Sequence, residues 1–121
     1  MAKKILIVDD NSLTREINGS VLAQSGYEVL AAGGGSEGLK KLAEEKIDLI
    51  VLDLIMPEMD GFEFLRICKD DPSLQNIPIV VLTGRDLPEE IKRVKALGAR
   101  ECLVKHKVRP SNLLESIKMI L

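Results

Sequence analysis

The sequence predicts an α/β fold, a parallel five-stranded sheet sandwiched between helices in a (βα)5 chain. Three observations predict it. Short apolar runs rich in Ile, Leu and Val recur along the chain and alternate with segments whose apolar residues follow helical spacing. The run beginning at Ile47 is hydrophobic on both faces, as strands covered by two layers are. The connections are short, and no internal repeat, linker or low-complexity stretch interrupts the alternation, so right-handed crossovers gather the strands into one sheet.

The first strand is Lys4–Val8, KILIV, which ends in Asp9, Asp10 and Asn11. From Ser12 the spacing turns helical, with Leu13, Ile17 and Val21 at i, i+4 and i+8, until Ser25-Gly26 closes the helix. Asp10 or Asn11 suits the N-cap of that helix, but a cap needs one of the three polar residues rather than all of them. Tyr27–Ala32 is the second strand. Gly33, Gly34 and Gly35 follow without the spacing of a phosphate-binding loop, so they read as a turn with Ser36 capping a helix that carries Leu39, Leu42 and Ala43.

The third strand starts at Ile47 and delivers Asp53 at its C-terminal tip, before the loop LIMPEMDG, around which Met56 and Met59 pack. A helix over Phe62–Asp70 buries Phe62, Leu65 and Cys68 and stops at Asp71-Pro72. Ile77–Leu82 is the fourth strand and delivers Thr83-Gly84; Pro78 is tolerated near its start. Asp86, Pro88, Glu89 and Glu90 start a helix with an apolar stripe of Ile91, Val94 and Leu97, ending at Gly98. Glu101–Val104 is the last strand, delivering Lys105, and a helix opening at Pro110-Ser111 carries Leu113, Leu114, Ile117, Ile120 and Leu121.

The 121 residues suit one domain, residues 1–121, with a real core. Two Phe, one Tyr and no Trp make that core aliphatic. The net charge of −2 is spread without a basic block, which argues against direct nucleic-acid binding. Asp48 and Asp53 break the longest apolar run well short of the ~18 residues of a membrane helix. MAKKILIVDD is too briefly apolar for a signal peptide. Cys68 and Cys102 lack metal-ligand spacing and read as free buried thiols of a reducing cytoplasm.

Ligands of open parallel sheets gather beyond the carboxyl ends of the strands. There the chain places Asp9 and Asp10 from the first strand, Asp53 from the third, Thr83 from the fourth and Lys105 from the fifth. Clustered carboxylates take up protons or hold a cation. An all-oxygen set suits Mg²⁺, which binds through one or two carboxylates, water and phosphate oxygens. A hydroxyl and an ammonium opposite them suit the oxygens of a phosphoryl group in transfer.

These residues resemble the response-regulator receiver domains of two-component signalling, and the resemblance runs the length of the chain. It rests on the acid pair after the first strand, the DLIMPEMDG segment, a Thr 30 residues beyond Asp53 and a Lys 52 beyond it. The resemblance implies a flavodoxin-like, doubly wound sheet of order 2-1-3-4-5. It implies that Asp53 is the phosphoacceptor, that Asp10 and Asp53, with Asp9 through water and the Ile55 carbonyl, hold Mg²⁺, and that Thr83 and Lys105 contact the phosphoryl group. It also implies a histidine kinase or histidine phosphotransfer protein as donor, a downstream effector as target, and a chain that catalyses its own phosphorylation and dephosphorylation. Two positions depart from the family pattern: Lys105-His106 stands where Lys-Pro is usual, and Cys102 occupies the aromatic switch position. The Lys105-His106 bond is expected to be trans, because a cis bond before a non-proline residue costs ~2.5–4 kcal/mol, with Lys105 still directed at the acids.

Two other classes place chemistry at similar strand tips. Aspartyl-phosphate phosphatases of the haloacid-dehalogenase type carry a second acid two residues after the nucleophile, where this chain has Ile55. Flavodoxin-like flavin binders need a phosphate loop after the first strand, where this chain has Asp9-Asp10-Asn11-Ser12.

Overall fold

The computed structural model describes residues 2–121. Strands β1 (Lys4–Val8), β2 (Glu28–Ala32), β3 (Leu49–Leu52), β4 (Ile79–Thr83) and β5 (Glu101–Val104) alternate with helices α1 (Ser12–Gln24), α2 (Gly35–Glu44), α3 (Gly61–Asp70), α4 (Pro88–Ala96) and α5 (Pro110–Ile120). The strands form one parallel sheet in the order β2-β1-β3-β4-β5, as the resemblance implied.

Strand side chains alternate between two core layers. Leu6, Val8, Ile50, Leu52, Ile79 and Val81 pack with Leu42 of α2, Phe64 and Leu65 of α3 and Val94 of α4. Ile5, Ile7, Leu49, Val51, Val80 and Leu82 face the other way, against Leu22 of α1 and Leu113 and Ile117 of α5. Each fully buried Leu, Ile or Val contributes about 1.5–3 kcal/mol against its exposed state. The central strands β1, β3 and β4 therefore anchor the strand tips firmly.

Several local expectations are corrected. In α1 the core-facing residues are Asn18 and Leu22, while Leu13 and Ile17 are 62% and 46% exposed. The true face is set one position further along because α1 must fit against both the sheet and α5, a constraint that spacing within the helix does not contain. Ser36 does not cap α2; the N-cap is Gly34, without a side-chain bond. Ala43 is exposed, and Cys102 is only half-buried. Strands β2, β3 and β4 begin one or two residues later than the apolar runs do, and β4 extends to include Thr83. Lys105–Lys107 forms a 3-10 turn that the sequence reading did not anticipate. Every peptide bond among the described residues is trans, Lys105-His106 included.

Among the described residues, no helix is long and apolar enough to cross a membrane.

Candidate functional site

The site is built where the strand order reverses, between β1 and β3. The register pairs Val8 with Leu52. The ladder then runs one bond past each strand: the Asp9 N–H donates to the Ala32 carbonyl at 3.1 Å and the Asp53 N–H to the Val8 carbonyl at 2.9 Å. The second bond, continuing the β1–β3 register, sets Asp53 beside Asp9, while the first holds Asp9 to β2. Gly61 secures the loop after Asp53, because a Cβ there would lie 2.5 Å from both the Asp53 carbonyl oxygen and the Leu54 Cα, and its N–H donates to the Leu54 carbonyl at 2.8 Å. Asp60 caps α3 by accepting from the Glu63 N–H.

Asp9, Asp10 and Asp53 each offer a carboxylate oxygen within 4.8 Å of the others. Asp9 and Asp53 are buried and Asp10 is exposed, so the cluster opens to solvent on one side. Lys105 reaches into it, its Nζ 3.1 Å from Asp9 Oδ2 and 3.4 Å from Asp53 Oδ2. Asp9 Oδ1 accepts from the Asn11 N–H at 2.9 Å, and Asn11 in turn caps α1 by accepting from the Thr14 N–H. The Asn11 cap and the acid cluster thus coexist. The Ile55 side chain is exposed, and its N–H points toward Asp53 Oδ1 at 3.4 Å. Thr83 is buried, and its Oγ1 accepts from the Arg85 N–H at 3.1 Å.

Electrostatics set this site apart from a structural ion pair. Burial, reinforced by the neighbouring Asp9 charge, pushes the Asp53 carboxyl up to about 6, although Lys105 and the Ile55 N–H pull the other way. Burial also works against the Lys105 ammonium, but the Asp53 and Asp9 carboxylates outweigh it and hold its pKa above the ordinary value. Three carboxylates against one ammonium leave a local excess of two negative charges when all are ionised. An oxygen-only cluster with that excess, partly open to solvent, fits a divalent cation such as Mg²⁺. Burial pushes the Cys68 thiol up to about 11, which removes it as a nucleophile near neutral pH.

Arg15 was missed by the sequence reading. Its Nη1 donates to the Asp9 carbonyl at 2.7 Å, tying α1 to the turn that carries the acids. The available signal was a basic residue in a first helical turn that holds no acid, an arrangement the helix dipole disfavours. Asn18, buried on the inner face of α1, lies outside the apolar stripe of Leu13, Ile17 and Val21 and carries no hydrophobic signal of its own.

A family model described as the response regulator receiver domain matches residues 5–118. The chain is 38% identical over 104 residues to the CAI-1 autoinducer sensor kinase/phosphatase CqsS of Vibrio cholerae; the match covers 85% of this chain and only 15% of that relative. It is 31% identical to the polar-differentiation response regulator DivK of Brucella anthropi, over 100% of this chain and 98% of the other. Among solved structures, the chemotaxis protein CheY4 of Vibrio cholerae superimposes with a TM-score of 0.93 at 36% identity, covering 100% of both chains.

Proposed function

Since this chain belongs to the response regulator receiver domains, the phosphoacceptor modules of two-component signalling, we propose that Asp53 is its acceptor and that residues 1–121 act as a single receiver domain. The observation that carries the assignment is the cluster itself: Asp53 is buried beside Asp9 and Asp10, and Lys105 bridges Asp9 and Asp53.

In this reading an Asp53 carboxylate oxygen attacks the phosphorus of a phosphohistidine on a histidine kinase or histidine phosphotransfer protein. The P–N bond breaks as the P–O bond forms, and the imidazole leaves with the electron pair. Burial keeps Asp53 poorly solvated, and Lys105 keeps it oriented. Asp10 and Asp53, with Asp9 through water and the Ile55 carbonyl, would hold Mg²⁺. Bound there, the ion supplies charge neutralisation for the phosphoryl oxygens. Lys105 then donates to one phosphoryl oxygen and Thr83 to another. Positioning and fixed charge account for most of the acceleration in such transfers. The same groups serve the slower hydrolysis of the acyl phosphate, so the chain catalyses its own phosphorylation and dephosphorylation.

The acyl phosphate brings a charge of about −1.5 to −2 to a site whose Thr83 hydroxyl is bonded to Arg85. Drawing Thr83 toward the phosphoryl group shifts the β4–α4 loop, a population shift that a downstream effector reads. A cytoplasmic location accords with that donor and with the free thiols of Cys68 and Cys102.

The test is intact-protein mass spectrometry after incubation with acetyl phosphate and Mg²⁺. One phosphoryl group should add to the wild type and none to Asp53→Asn. Labelling retained in the variant, or mapped by peptide analysis to another residue, would remove the assignment.

A further inference from the structure

Beside this site lies one charged pair that the proposed chemistry does not use. Arg85 leaves the tip of β4 with its N–H on Thr83 Oγ1, but its guanidinium is turned toward α4, where Nη2 meets Glu90 Oε2 at 2.7 Å. The Arg85 side chain is half exposed, whereas Glu90 is largely covered. The other Glu90 oxygen, Oε1, is buried without a hydrogen-bond partner.

We infer that Arg85 is a further ligand of the phosphoryl group, held away from it in the unphosphorylated chain by Glu90. The inference rests on Asp53 as acceptor. Register supports the reach: Leu52 pairs with Val81, so Asp53 and Thr83 end neighbouring strands one position apart, and Arg85 follows Thr83 by two residues. Strand neighbours are about 4.8 Å apart and each further residue adds at most about 3.3 Å. Arg85, three positions past the residue opposite Asp53, therefore starts no more than roughly 11 Å from it. An extended arginine and a phosphoryl group on Asp53 close that gap from both sides. Charge supports the direction. Glu90 offers Arg85 one negative charge at a partly solvated surface, where ion pairs are weak. A phosphoryl group offers about −1.5 to −2 and several oxygens in a drier pocket, where a guanidinium binds more strongly.

Glu90 loses little when released. It is the third residue of α4, whose N-cap Leu87 supplies no side-chain bond. At that position a glutamate is favoured by the helix dipole and is placed to accept from the N-cap N–H. The exchange therefore ends the unpartnered burial of Oε1 and changes the contacts at the start of α4 at the moment the phosphoryl group arrives.

The test is a double-mutant cycle read by calorimetric titration of beryllium fluoride, a phosphoryl mimic, in the presence of Mg²⁺. R85Q should bind about tenfold more weakly. E90Q, which frees Arg85, should bind roughly three- to tenfold more tightly. The R85Q/E90Q protein should match R85Q, because the gain from E90Q acts only through Arg85. An E90Q protein no tighter than wild type overturns the inference, as does a gain that persists in the R85Q background, which is general relief of negative charge. A wild type that fails to bind the mimic at all overturns the acceptor assignment and this inference with it. Wild-type binding with a flat cycle removes the inference alone. Thermal melts of the three variants, all changed at partly exposed positions, check that the fold is retained.

Discussion

Replacing Asp53 by asparagine should stabilise the metal-free fold while removing the proposed acceptor. The Asp53 carboxyl is 5% exposed and is pushed from the ordinary 3.8 to about 6 by burial and by Asp9. A shift of about two pH units corresponds to ~3 kcal/mol by which ionised Asp53 is disfavoured in the folded chain. Asparagine keeps the shape without the charge, but it gives up the Lys105 contact and must satisfy its own amide. The expected net gain is ~1–2 kcal/mol above pH 7, or roughly 3–8 °C in Tm for a domain of this size.

The pH dependence has a definite sign. Between about 4 and 6 the folded wild type holds more protons at Asp53 than the unfolded chain does, so its stability falls as pH rises through that window and levels off above it. The variant lacks this contribution, so the two stability curves converge near pH 4 and reach their full separation above pH 6. Urea unfolding in EDTA across pH 4–8 measures both curves. Added Mg²⁺ should then stabilise the wild type by mass action and narrow the gap. A variant no more stable than wild type at pH 7.5 in EDTA, or a gap that is the same at pH 4, would refute the reasoning.

Three further outcomes follow from the geometry. Asp10→Asn should weaken Mg²⁺ binding at least about tenfold, since it removes both an oxygen donor and one of the charges that attract the ion; unchanged affinity by calorimetry would count against the acid cluster as the metal site. Ile55→Asn should shorten the life of the acyl phosphate by severalfold to about tenfold, because an amide beside Asp53 gives the attacking water a hydrogen bond that the exposed Ile55 side chain does not; acid-stopped time courses would show it, and an unchanged or longer lifetime would contradict the role. In α1, Leu22→Ala should cost ~2–5 kcal/mol as a cavity in the core, whereas Leu13→Ser should stay within about 0.5 kcal/mol as a surface change. Equal losses by urea unfolding would show that the helix buries a different face.

The sheet and the cluster were legible in the sequence for one reason: parallel strands buried on both faces need long apolar runs, and a run that ends in a carboxylate places that carboxylate at the sheet's edge. Lys4–Val8 before Asp9, Ile47–Leu52 before Asp53 and Ile77–Leu82 before Thr83 each carried the signal locally. The short α1 stripe of Leu13, Ile17 and Val21 carried a weaker one. A helix with few apolar residues can meet a sheet in more than one rotation, and the choice of Asn18 and Leu22 was made by packing against the sheet and α5.

What the sequence determined by itself is the order of elements, the polar residue at each strand end and the charge those residues bring to one edge. Tertiary structure decided the rest. Packing buried Asp53, the β1–β3 register put Asp9 beside it, and together they raised its pKa; the turn after β5 brought Lys105 between the two acids, and Arg15 and Arg85 were directed to a backbone carbonyl and to Glu90. Composition and periodicity are properties of single segments. Distances between charges arise only when segments far apart in the chain are packed together, and burial sets the local dielectric that makes those distances matter.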